Sequence, residues 1–223
     1  MLKQPAHTLI FFLFLVGGIL FSNQNANAND AVSVEKKLHP LPTAFQHQLD
    51  SLKKIDSLER WLNAWYVYLS DQPSSHYQEL TIPLNSIWRK PKSPSEEIAW
   101  FYLHILIGYY ELQQGNILKS TAVYEKAYQF VQQSSSIHTN EILEYLIKPL
   151  GNNYTRLGDY ERAFFIQQQG LKLAQTLEDS MQEASMLANI STTARWNDQL
   201  DRALKFASEG LNKVHPNTAL QAL

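Results

Sequence analysis

Apolar residues recur at helical intervals along most of this chain. From Thr43 to Ser70 they stand at Leu49, Leu52, Ile55, Leu58, Leu62, Trp65 and Leu69. Gaps of three and four put them on one face, so the spacing predicts helix through this stretch. Asp71-Gln72-Pro73-Ser74-Ser75 interrupts it, and His76 to Lys90 reads as another helix, distorted by Pro83. Ser93-Pro94-Ser95-Glu96 reads as a helix start: Ser93 the N-cap, Pro94 the first residue, Glu96 returning the capping hydrogen bond.

Beyond Ser93 the pattern repeats. Ile107 to Tyr128 aligns with Leu150 to Leu171 at a constant offset, bringing Gly108 onto Gly151, Gly115 onto Gly158, Ser120 onto Ala163 and Ala127 onto Gly170. Ile190 to Leu211 aligns as a third copy, with Ser191, Asp198, Ala203 and Gly210 at the same places. Each copy reads as a helix A, a tight turn and a helix B. Gly158 suits a left-handed residue that ends helix A, and Asp159 can cap the next helix. Gly151 and Ala163 are small so that A and B can cross closely, and Gly170 is small for contact with the next copy. Tyr154, Leu157, Tyr160 and Leu171 are expected to fill the wider gaps. Pro149 lies inside helix A and removes the bond to the Tyr145 carbonyl, which predicts a kink. No single hairpin buries its apolar face alone, so the copies must stack.

These residues resemble the tetratricopeptide-repeat (TPR) family. The middle copy matches best, at Leu150-Gly151, Tyr154, Gly158-Asp159-Tyr160, Ala163 and Gly170; Glu111 and Ser191 depart from the pattern in the outer two. The resemblance implies an all-α fold, a right-handed superhelix of about three helical hairpins. The repeats would span 93–135, 139–178 and 180–216, behind capping helices at 43–92. Residues 217–223 read as the start of a truncated further helix. More narrowly, "YLIKPLGNNYTRLGDYERAFFIQQQGL" behind "ERWLNAWYVYL" resembles the N-terminal region of bacterial CHAT-domain (caspase-like) proteins. In those proteins a Cys-His peptidase follows; this sequence holds no cysteine and no such module.

The N-terminus stands apart. Lys3, the uncharged run Leu9 to Phe21 and Ala26-Asn27-Ala28 read as a secretory signal cleaved after Ala28, the alternative being an uncleaved N-terminal anchor, followed by a flexible lead at 29–42. The run is shorter than the roughly 20 residues of a spanning helix. The expectation is an exported protein, periplasmic or extracellular, without a stable membrane span after cleavage. The 223 residues are 44% hydrophobic and 18% charged, enough for a substantial core, and the net charge of -2 gives no reason to expect nucleic acid.

No hydrolase, phosphate-loop, dinucleotide or zinc-protease motif is present, so the sequence points to a non-enzymatic scaffold with no cofactor and no metal; the alternative that the CHAT-type resemblance implies is the recognition or regulatory arm of a larger protease or signalling protein, truncated here. The scattered histidines read as surface or core. On TPR geometry, helix A side chains line the groove. The first copy would contribute Tyr102, Ile105, Tyr109, Leu112 and Gln113. The second would contribute Tyr145, Lys148, Asn152, Thr155 and Arg156, and the third Ser185, Ala188, Thr192, Arg195 and Trp196. Lys148, Asn152 and Asn189 resemble part of the carboxylate clamp of chaperone-binding TPRs. One end is thus aromatic and the other cationic. A peptide with an acidic part could use this, with cations for its carboxylates and asparagines for its backbone.

Overall fold

The computed structural model describes residues 41–71 and 84–214, all within one compact unit, Lys37–Leu223. The stretch read as a signal, most of the expected lead, 72–83, and residues 217–223 read as the start of a further helix lie outside the described residues. Every regular element among the described residues is helical: α1 (Thr43–Lys54), α2 (Leu58–Ser70), a 3₁₀ turn (Leu84–Ser86), α3 (Pro94–Gln113), α4 (Ile117–Val131), α5 (Thr139–Ile142), a π turn (Leu143–Ile147), α6 (Lys148–Arg156), α7 (Tyr160–Thr176), α8 (Ser180–Trp196) and α9 (Leu200–Val214). α5, the π turn and α6 run on without a break and form the middle helix A. Consecutive helices pack on one another; in addition α4 packs on α6, and α6 on α8.

Among the described residues, five interhelical turns close the same way. In each, one residue takes positive φ: Asp56, Gly115, Gly158, Glu178 and Asp198. The N–H of that residue bonds back three residues and the next N–H bonds back five, as with Gly158 to Thr155 and Asp159 to Tyr154. This is the Schellman closure, which satisfies carbonyls the helix leaves open. Asp159 then caps α7 by accepting from Arg162 N–H. The stripe read as one helix over 43–70 is therefore two. Ile55 falls in the turn and is 66% exposed rather than part of the apolar face.

The expected close crossings are present. Gly108 sits under the Tyr124 ring, and Gly151 against Gln167. Ser120 Oγ donates to the Gly108 carbonyl at 2.7 Å, and in the third copy Ser191 Oγ donates to the Ala203 carbonyl at 2.8 Å. The crossing thus carries a hydroxyl bond whose donor sits on helix B in one copy and helix A in another. Ala163 is fully buried, and Gly170 meets Met186 of the next copy. Leu157 does not fill a gap as expected; it lies at the turn and is 38% exposed.

At the N-terminal end, Leu58, Leu62, Trp65 and Leu69 of α2 join Phe101, Leu103 and Ile107 of α3 in the core. Phe45 of α1 stacks on Tyr68 at 4.2 Å and meets Trp65 edge-on at 5.2 Å. The part of 76–90 that is described is a single 3₁₀ turn followed by irregular chain, not a helix. Arg89 holds it there. Its guanidinium bonds Asp56 Oδ1 at 2.7 Å and the Asp56 carbonyl at 3.0 Å, and it forks onto both oxygens of Glu96 at 2.7 and 2.8 Å. Trp88 Nε1 donates to the same Asp56 oxygen at 2.8 Å. Ser93 caps α3 as expected, but Glu96 accepts from Lys92 N–H rather than closing the capping box, because Arg89 has claimed it.

Candidate functional site

The residues assigned to the groove lie on α3, on the middle helix A and on α8. Local structure decides how each is presented. Pro149 lacks the N–H that would bond the Tyr145 carbonyl, and a proline ring crowds the carbonyl four residues back. The chain answers with the π turn: Lys148 N–H bonds the Leu143 carbonyl, five residues back. The strain expected as a kink is taken up by one widened turn, which carries Glu144 and Tyr145.

At one end of this face stand tyrosines. Tyr102 is half-buried and donates to Glu141 Oε1 at 2.6 Å. Tyr66 of α2 meets its ring edge-on at 6.3 Å. Burial pushes the Tyr102 hydroxyl well above the ordinary tyrosine range, and Glu141 pushes it further. Burial does the same to Tyr145, with Glu144 and Glu141 adding to it, and to Tyr109. These hydroxyls therefore stay protonated and polar without charge. Gln113, on the last turn of α3, is exposed.

In the middle the expectation for Lys148 needs correction. Its Nζ lies 2.5 Å from Glu144 Oε2, which also accepts from Gln182 Nε2 of α8 at 3.2 Å. An i,i+4 carboxylate thus neutralises it, and it does not present a bare charge. Asn152 and Asn189 are half-buried, while Thr192 is exposed and donates to the Ala188 carbonyl at 3.0 Å. Two other groove residues are not on the surface. Ile105 is 7% exposed and belongs to the core. Thr155 is 5% exposed, with its hydroxyl 2.7 Å from that of Thr193, which donates to Gln167 Oε1 at 2.9 Å. The middle and third helices A are therefore joined by a buried polar seam of Thr155 and Thr193, which Gln167 of α7 completes.

At the other end, Arg156 and Arg195 are exposed and form no ion pair among the described residues. Trp196, which follows Arg195 in the chain, is 48% exposed. A shallow depression of about 500 Å³, lined by Leu157, Gly158, Asp159, Tyr160, Glu161 and Asn197, opens at the turns of the second and third hairpins.

Glu141 and Glu144, which shape the tyrosine end, are not among the residues the sequence singles out. The signal available is the Glu144–Lys148 spacing beside Pro149. His104 is fully buried, stacked on Trp100 at 3.5 Å, with Nδ1 2.9 Å from the Trp100 carbonyl. Burial lowers its pKa to about 3, so it is a neutral core residue. Among the described residues no three His, Asp or Glu side chains gather as metal ligands. No helix among them is long and apolar enough to cross a membrane. No protein-family model matches this sequence, and a search of curated proteins finds no significant match.

Proposed function

We propose that this chain is a non-enzymatic interaction scaffold of TPR type, whose helix A face holds a peptide or protein segment bearing carboxylates. The TPR reading is supported by the matched crossings at Gly108, Gly151 and Ser191, and by the turns at Gly115, Gly158 and Asp198. The reading of the partner is carried by one observation: two exposed guanidiniums, Arg156 and Arg195, in the last turns of α6 and α8, with the exposed indole of Trp196 following Arg195 in the chain. A guanidinium fork fits a carboxylate through two parallel hydrogen bonds, and an exposed tryptophan supplies apolar contact. In this reading the half-buried Asn152 and Asn189 bond the backbone of an extended segment. The same surface would serve a free adaptor or the recognition arm of a longer protein.

Cations in the last turn of a helix are also favoured by the helix dipole. Binding, not stability, is therefore the measurement that tests the proposal. An immobilised peptide array of graded acidity is probed with the parent chain and with the double variant Arg156→Glu, Arg195→Glu. Acidic peptides should be captured by the parent and lost by the variant, at least about tenfold, with helicity unchanged. Undiminished capture, or a parent chain indifferent to peptide charge, ends this reading.

A further inference from the structure

α9 is amphipathic, and one of its faces has no partner among the described residues. Ala203 and Gly210 are buried, and Gly210 sits against Ala184 and Leu187 of α8. Away from α8, Leu200 is 62% exposed, Leu204 71% and Leu211 53%. Ala207 is exposed and Val214 half-buried along the same line. Single exposed leucines are ordinary, but an aligned row of them marks a contact surface.

The spacing says what shape covers this row. Positions 200, 204, 207, 211 and 214 alternate gaps of four and three, the seam of a helix that meets another helix. Over its first four positions the spacing reads the same in both directions. Laid antiparallel on a second copy of itself, Leu200 falls opposite Leu211 and Leu204 opposite Ala207. Each large side chain in the centre then enters the space left by a small one. The flanks match as well, since Ser208 comes beside Asp201 of the second copy. A two-fold contact needs one surface complementary to itself, and this seam meets that condition.

We propose that the α9 seam of Leu200, Leu204, Ala207 and Leu211 is a docking surface for a second copy of this chain, packed antiparallel about a two-fold axis. A single helix pair buries less than the roughly 800 Å² per partner of a standard interface, so the dimer is a weak one, in the micromolar range. The proposal does not rest on peptide binding by the helix A face, and either can fail without the other.

Sedimentation equilibrium on the whole chain tests it, with cross-linking to fix the register. The parent should dimerise with rising concentration. Leu204→Lys should weaken the dimer by about a hundredfold, because each two-fold contact loses the leucine twice. An exposed Leu204 has little part in folding, so helicity should not change. The sequence holds no cysteine, so introduced ones report cleanly. Under mild oxidation, Leu204→Cys mixed with Ala207→Cys should cross-link to each other faster than either does to itself. A parent that stays monomeric, a dimer indifferent to Leu204→Lys, or like-to-like cross-linking would overturn the proposal. So would a dimer that appears only when residues 215–223 are removed, since Leu220 and Leu223 would then be covering the seam from within the chain.

Discussion

Gly170 lies where three helical segments meet, and its replacement by alanine measures how tightly the second and third hairpins nest. A Cβ at this position would stand 2.7 Å from Ile147 Cγ2 and from Met186 Cε, and 3.2 Å from Leu143 Cδ1. Carbon atoms prefer roughly 3.5–4.0 Å, so two of these contacts overlap badly. Leu143 and Met186 are fully buried and Ile147 nearly so, which leaves no space to retreat into. Ile147 is also β-branched and stiff at χ1. Overfilling a packed core costs about 1–3 kcal/mol. Alanine returns about 1 kcal/mol of helix propensity over glycine. Two overlaps at 2.7 Å put the cost in the upper part of that range, about 2–3 kcal/mol, so the expected net loss is about 1–2 kcal/mol. Gly210→Ala is the internal control. Its Cβ would lie 3.4 Å from the Ala184 carbonyl oxygen and Leu187 Cβ, a tight contact without gross overlap. There the propensity gain should offset the crowding, leaving stability within about 0.5 kcal/mol of the parent. Urea unfolding followed by far-UV circular dichroism, with midpoints compared at constant slope, gives both values. If Gly170→Ala proves as stable as the parent, or Gly210→Ala falls as far, the stacking of the hairpins is not the one these distances describe.

Three further outcomes are expected. Ser120→Ala removes the acceptor of Asn153 Nδ2, a bond of 2.8 Å between two fully buried side chains. It should cost about 1–3 kcal/mol in urea melts, and Ser120→Ala with Asn153→Leu should lose less than Asn153 left orphaned. Hydrogen bonds from Arg89 hold the Asp56 and Glu96 carboxyls below their ordinary values. Groups with depressed pKa stabilise the fold above the unfolded-state values, near 3.9 and 4.3, and that contribution is lost as pH falls through the folded values. The stability gap between parent and Arg89→Met should thus be full near pH 6 and shrink below about pH 4; a gap that widens in acid would refute the clasp. Glu178 holds a left-handed φ of 54° in the turn between α7 and α8. Glu178→Gly should therefore raise stability by about 0.5–1 kcal/mol in the same melts, and a loss would mean the side chain matters more than its backbone strain.

Local chemistry is legible in the sequence; partners far apart in the chain are not. Gly158, Asp159 and the Ser93-Pro94 start announce themselves because glycine and capping residues act within a few positions. The same turn at Asp56 is hidden, and periodicity alone runs a helix through Ile55, since aspartate at positive φ leaves no compositional mark. Pro149 is plain as a disturbance, but its remedy depends on how Leu143 and Ile147 sit against Gly170, which no local pattern states. Thr155 falls to the groove on the TPR resemblance because a family pattern fixes an angle around a helix, not which neighbour fills that angle. Arg89 shows the limit most plainly. Its partners lie 33 residues before it and 7 after, and a basic residue in a proline-rich stretch gives no hint of them.

The widened turn at Leu143–Ile147 also fixes a phase. The middle helix A carries one more residue than uniform winding would place there, so a single inserted position aligns the segments on its two sides. Deleting one residue there, together with Pro149→Ala to return the missing N–H, would restore an ordinary helix and swing the preceding segment by about 100°. Glu141 would then leave Tyr102, and the rod would keep its length and helicity while losing its match to the hairpin before it. Insertions and deletions at this point should therefore be silent to circular dichroism and plain to any measurement that senses the first hairpin, such as hydrogen exchange at α3.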